Sequence, residues 1–341
     1  NERSNTKGNN GDRFTLTSNL NFKLMNWATL TTGIRASLLN IKDNGLGLSS
    51  MQASLGILPL MPYDQLVDDN GNRVDYYRYD EVFVKEREAL GYQSWRYNYL
   101  DELDNKDNMR KEQAVALTMG LNIPVPGVKG LALDGSFMYE KTNNKVRNYE
   151  NENTYAARDR YNYATRYDES TGTLTHGLPG GALLNVAHTD ARNYSLRGQL
   201  NYDNTIAEIH QVSALAGIEF RETRTWQNGA YYYGYNEQTL LAASQIQNPY
   251  TNIWGWNSYL LDGSPETDYQ RRFLSYYGNL SYTLMNKYVV TGSVRYDDYN
   301  NFGVDRKYRA TPMWSTGFSW HIGREDFIMD NVGWLNQLTF R

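Results

Sequence analysis

Acid–base and metal chemistry has few candidates in this sequence. The four histidines, His176, His188, His210 and His321, are widely separated, and neither an H-E-x-x-H zinc helix nor a G-x-S-x-G nucleophile elbow accompanies them. His210 and His321 fall in strand-like segments, where packing or a place on a wet interior wall accounts for them. The run Asp68-Asp69-Asn70-Gly71-Asn72 begins like a calcium loop, but Arg73 stands where such a loop needs glycine and no glutamate follows at the bidentate position. A polar turn is expected there. "HGLPGGALL" (176–184) lacks the Lys-Ser or Lys-Thr of a phosphate cradle and reads as a flexible loop. "DELDNKD" (101–107) reads as a solvated charge run rather than a surface metal site. No enzyme and no cofactor are expected.

The remaining chemistry is aromatic. The chain has 29 Tyr and 8 Trp, and three stretches concentrate them outside any strand-like alternation: "YQSWRYNYLDELDN", "NGAYYYGYNEQ" and "NPYTNIWGWNSY". A Trp or Tyr side chain offers a flat apolar face with a hydrogen-bonding tip, which suits the C–H faces of sugar rings or an extended peptide. Trp95, Tyr97, Tyr231, Tyr233, Trp254 and Trp256 are therefore the substrate-binding candidates. The same rings could instead fold these loops on themselves as small cores.

What positions such loops is a set of strands. Apolar side chains recur at every second place in "RFTLTSNLNFKL", where Phe14, Leu16, Leu20, Phe22 and Leu24 share a face opposite Thr15, Thr17, Asn19, Asn21 and Lys23. The alternation resumes after Met25-Asn26 and returns as hairpins at about 111–123 with 131–141, 191–203 with 206–222, and 272–284 with 288–299. A last strand near 310–322 leads through "GREDFIMDNVGW" to Leu338-Thr339-Phe340. The connections alternate. Short turns follow strands ending near Leu24, Ile123, Asp203 and Leu284, whereas long segments run over 40–110, 143–190 and 224–269, with a shorter one at 301–309.

A transmembrane antiparallel β-barrel sorts its loops in this way, short on the periplasmic side and elaborated outside. In that reading Tyr276, Leu280, Tyr282, Val290 and Val294 face lipid, while Ser275, Asn279, Thr291 and Arg295 face the lumen. Tyr276, Tyr282, Tyr288, Tyr296, Trp314 and Trp320 then form interfacial girdles. A soluble sandwich or β-solenoid uses the same alternation with its polar side outward. The net charge of −4 excludes a polyanion-binding surface, so no nucleic acid partner is expected. Absence of cysteine excludes disulfides and thiolate metal sites. No apolar run is long enough for a spanning helix.

The segment 276–327 resembles the barrel of the SusC/RagA-type TonB-dependent outer-membrane transporters of Bacteroidetes. The likeness lies in the aromatic-Gly-x-Leu-x-Tyr strand at Tyr277–Tyr282, Lys287-Tyr288, Val294-Arg295-Tyr296-Asp297, Asn301-Phe302-Gly303, and the pattern from Pro312 to Trp320 leading to Glu325 and Phe327. This resemblance implies an all-β fold in which about ten strands belong to a barrel of 22. Residues 1–341 would then be part of one barrel domain whose plug domain is not in this chain. It further implies import of an oligosaccharide or peptide, energy from a TonB-ExbB-ExbD complex, a SusD-like surface lipoprotein as lid, contact with outer-membrane lipid, and a dimer of transporter–lipoprotein pairs. Two alternatives stand beside it: an aromatic-rich, soluble or surface glycan-binding β-protein, and an outer-membrane hydrolase with its site in the loops.

Overall fold

The computed structural model describes residues 2–3, 8–25, 27–44, 56–57, 61, 63–244, 246–261, 263, 265–300, 312–330, 332, 334–335 and 337–341. The strands are β1 (Glu2–Arg3), β2 (Asn10–Met25), β3 (Ala28–Lys42), β4 (Lys106–Pro124), β5 (Leu131–Glu150), β6 (Thr165–Asp168), β7 (Thr173–His176), β8 (Ala182–Ile206), β9 (His210–Tyr235), β10 (Tyr250–Thr251), β11 (Asn257–Ser258), β12 (Thr267–Leu284), β13 (Tyr288–Tyr299) and β14 (Met313–Trp320). Ten of them form one sheet in the order β1-β2-β3-β4-β5-β8-β9-β12-β13-β14. Every pairing in it is antiparallel and links neighbours along the sheet order. The sheet is open at β1 and β14 among the described residues. An open edge cannot lie in hydrocarbon, because its N–H and C=O groups would go unpaired at several kcal/mol each.

Register turns the alternating pattern into two continuous faces. On one, Phe14 lies opposite Leu38, Ala36 opposite Val115, Leu117 opposite Tyr139, Phe137 opposite Leu196, Ile218 opposite Tyr276, and Val294 opposite Trp314. Among the described residues nothing packs over this face: Phe14 is 62% exposed, Leu280 49% and Trp314 75%. A sandwich would bury these rows against a second sheet, so that reading is excluded. Tyr288 stacks on Trp320 at the short-turn edge, and Tyr276 meets Tyr296 eight residues farther along β13. Those two aromatic levels are about 27 Å apart along the strand at ~3.4 Å per residue, or about 20 Å along the membrane normal at a tilt of about 40°, the scale of the apolar band between girdles.

The turns account for the sorted connections. Ala207 and Glu208 have φ of 51° and 63°, and Met285 and Asn286 have φ of 53° and 55°. Two positive-φ residues in succession make the hairpin turn whose twist matches the flanking strands. On the same edge Glu325 accepts hydrogen bonds from Lys287 Nζ (3.0 Å), Tyr288 OH (2.6 Å) and Trp320 Nε1 (2.9 Å). These donors, Tyr288 first, hold its carboxyl down at about 2. The residues carrying the family resemblance at 287–288, 320 and 325 thus form one clasp on the periplasmic rim. Trp320 also exchanges backbone hydrogen bonds with Phe340 (both 2.8 Å), so the final segment begins another pairing.

Several sequence-based expectations need correction. The strands extend beyond the predicted limits on the long-loop side, so that 143–150, 182–190 and 224–235 are strand rather than loop. "HGLPGGALL" is not a free loop: Leu178 and Leu184 are buried, and a Cβ on Gly177 would lie 2.6 Å from Tyr250. "DELDNKD" is not simply a solvated charge run, since Asp101–Asn105 completes a helix in which Glu102 is buried. His321 lies just past β14, and Ile322 is in a short 3-10 turn (Ile322–Arg324). Asp68 does make a polar turn, its carboxylate accepting from Asn70 N (2.9 Å) and Asn72 N (2.7 Å). The connection at 301–309, Asn301-Phe302-Gly303 and Asn26 lie outside the described residues.

Candidate substrate-entry site

Among the described residues the larger buried cluster lies in the extracellular loops rather than in the sheet. Helix α1 (Glu81–Ala89) starts where the Asp80 carboxylate caps Val82 N at 2.9 Å. Helix α2 (Tyr99–Asn105) is capped by Asn98, and α3 (Tyr155–Tyr163) by Thr154. Between them Ile57, Val84, Tyr92, Trp95, Tyr97, Tyr99, Leu103 and Tyr155 pack into one cluster. Its stitching is polar: Trp95 Nε1 donates to Asp159 (2.9 Å), and the Asn162 amide accepts from Gln93 N (2.9 Å) while donating to Gln93 O (2.7 Å). Burial pushes the carboxyls of Asp159 and Glu102 up. Glu102 accepts from Tyr155 N at 2.5 Å, with Lys106 3.6 Å away.

The third loop joins this body through Asn252. Its side chain is buried. Its amide donates to Tyr163 OH (2.9 Å) and Ser258 Oγ (3.0 Å), and its carbonyl accepts from both Trp254 N and Trp256 N at 3.0 Å. Gly255, at φ +84°, completes the turn between β10 and β11. One buried amide therefore fixes the backbone that carries two tryptophans. Trp254 is 50% exposed, with one ring contact to Phe83 at 6.1 Å, and Trp256 is 70% exposed.

Below the loop body, at the mouth of the wet face, a groove of about 280 Å³ is lined by Asn108, Asn148, Glu150, Arg160, Asn185 and Tyr231, among others. Three amides, one acid and one guanidinium beside a tyrosine give donors and acceptors facing a common space. Tyr231 stacks on Tyr233 at 6.4 Å.

The six candidates separate on this geometry. Trp95 and Tyr97 are buried inside the loop body, the self-packed arrangement that the sequence left open. Tyr231 and the largely buried Tyr233, both on β9, line the groove, while Trp254 and Trp256 stand out on their hairpin. Sequence reasoning missed Asn252 and the groove residues Asn108, Asn148, Glu150, Arg160 and Asn185. Only Asn252 carried a local signal, the Asn-x-x-Gly spacing of an Asx turn.

No family model matches the chain. Among curated proteins it is 28% identical over 142 residues to TonB-dependent receptor P39 of Formosa agariphila, covering 41% of this chain and 12% of that protein. It is 29% identical over 119 residues to TonB-dependent receptor SusC of Bacteroides thetaiotaomicron, covering 32% and 12%. The RagAB peptide transporter superposes with a TM-score of 0.64 at 17% identity, over 94% of this chain and 31% of that one. A second RagAB structure, the importer in its closed-closed state, gives 0.65 at 16% over the same shares. The matched region thus spans well under half the length of each relative. These relatives are receptors and transporters rather than enzymes. In sequence and in fold the chain is similar to the SusC/RagA-type TonB-dependent transporters, and its sheet is part of a transmembrane β-barrel wall of the bacterial outer membrane.

Proposed function

We propose that this chain forms part of the wall and extracellular mouth of a transporter that imports a large nutrient, an oligosaccharide or a peptide, across the outer membrane. The whole chain belongs to one barrel domain in this reading, and the plug domain lies outside it. Import is energised through TonB-ExbB-ExbD, and a SusD-like lipoprotein closes over the loop body. The peptide half of the cargo reading draws support from the RagAB likeness, since RagAB is a peptide importer. The observation that carries the proposal is the fixed presentation of Trp254 and Trp256 by Asn252, alongside the presence of an amide-lined groove at the lumen mouth. Rigid aromatic faces lose little entropy on binding, so they supply affinity without a large ordering cost.

The test is cargo capture by the full-length protein purified from its native membrane. Mass spectrometry of the retained material identifies its class, and the double substitution Trp254→Ala with Trp256→Ala is expected to weaken binding by about tenfold or more, as for two truncated anchors. Undiminished affinity would remove the tryptophan hairpin from the entry site.

A further inference from the structure

One cross-strand row of the wet face changes its chemistry along its length, while neighbouring rows carry charge on the first strands too, at Arg35, Asp134 and Glu140. The first half of that row is Asn21, Thr31, Gly120 and Ser136, on β2 to β5, all small or neutral. Its second half continues through Arg197, Glu219, Ser275 and Asp297, on β8 to β13. The rows on either side add Arg221, Tyr277 and Arg295 to the charged half.

In that half the arginines are held in place before any ligand arrives. A Cβ on Gly217 of β9 would lie 2.5 Å from Tyr277 Cζ, so the bare backbone there is what lets the Tyr277 ring cross β9 from β12. The Tyr277 hydroxyl accepts from Arg197 Nε (2.5 Å) and donates to Gln199 (2.9 Å), both on β8. The guanidiniums of Arg197 and Arg295 lie 5.1 and 6.0 Å from the Tyr277 ring centre, and that of Arg221 lies 5.0 Å from Phe273. Arg295 is engaged by Asp297 at 2.8 Å and Arg221 by Glu219 at 3.4 Å. Asp134, the nearby acid on β5, accepts from Asn122 (2.6 Å) and Asn201. Arg197 differs from its neighbours: its hydrogen bonds among the described residues go to neutral Tyr277 and Gln199.

We propose that this part of the lumen wall is a carboxylate-binding site centred on Arg197, with Tyr277 and Gln199 as positioning residues. A guanidinium fork fixed on an aromatic face is pre-organised for two parallel hydrogen bonds to a carboxylate, and ionisable groups at membrane depth mark the paths of charged ligands. The carboxylate comes from passing cargo or from an acidic side chain of a segment that fills the lumen. Only the cargo source rests on the import reading.

The experiment uses full-length protein in detergent, where no energised transport is needed, so a failure here and a failure of the import reading remain distinct. Short oligoglutamate and oligoglutamine peptides are the probes. With cargo as the source, the wild type binds oligoglutamate about tenfold more tightly than oligoglutamine, R197Q loses the preference, and R197K keeps part of it. With an internal source there is no peptide preference. The wild-type melting midpoint then falls between about 50 and about 500 mM NaCl while that of R197Q does not. Either pattern supports the site. Equal peptide affinities together with the same salt response in wild type, R197K and R197Q would overturn it.

Discussion

At the residue scale, buried polar side chains set what the loops can do. Glu102 is the sharpest case, because burial raises its carboxyl above the ordinary 4.5 while Tyr155 N and Lys106 only partly offset that burial. A raised acid contributes stability that is fully present below its unfolded pKa and is lost as pH rises through the folded value. Asp159, raised by burial beside Trp95 Nε1, acts in the same direction. Hydrogen exchange over 92–105 is therefore expected to slow, relative to an unstructured reference peptide, as the pH is lowered from neutral towards 4.5. Glu102→Gln should be slower-exchanging than wild type at neutral pH and should show a weaker pH response. Faster exchange in the variant at neutral pH would show that the charged carboxylate is itself the stabilising form. None of this was legible in "DELDNKD", since charge density reads the same whether a run faces water or plugs a loop core. The same limit explains Trp95 and Tyr97. Their spacing marked them as aromatic loop residues, but which rings a loop keeps for its own core depends on partners such as Asp159 and Tyr155, sixty residues or so away.

Elements record the solvent on both of their faces. Period-2 alternation in "RFTLTSNLNFKL" and "YYGNLSYTLMNKYVV" was readable because one side meets hydrocarbon and the other water. Where the same strands rise past the membrane both faces are wet, the apolar rows stop, and 143–150 and 224–235 therefore read as loop although they are paired strand. Helix α1 was equally hidden, because a short helix on a loop body needs only Val84 buried on one side. The turns offer a direct test at this scale. Ala207 and Glu208 occupy two positive-φ positions without being glycine or asparagine, so Ala207→Asn with Glu208→Gly should stabilise the β8–β9 hairpin by about 1 kcal/mol. Urea refolding into detergent micelles measures this, and a lower midpoint for the double variant would contradict the turn geometry.

For the whole molecule, the informative contrast is between a sheet whose apolar rows no described residue covers and loops that hold the larger buried cluster. A water-soluble protein of this topology would invert that arrangement, and the apolar rows from Phe14 to Trp314 would be its interior. The wall instead has a dry outside, a wet inside, a periplasmic clasp at Glu325 and an extracellular body carrying the tryptophan hairpin. The most direct measurement is nitroxide accessibility in lipid bilayers, with labels placed singly at Leu196, Leu280 and Val294 and at Asn201, Asn279 and Ser293. The first set should collide with dissolved oxygen far more often than with a water-soluble nickel chelate, and the second set should show the reverse preference. First-set labels shielded from both reagents would mean that protein covers those rows, contradicting the membrane wall.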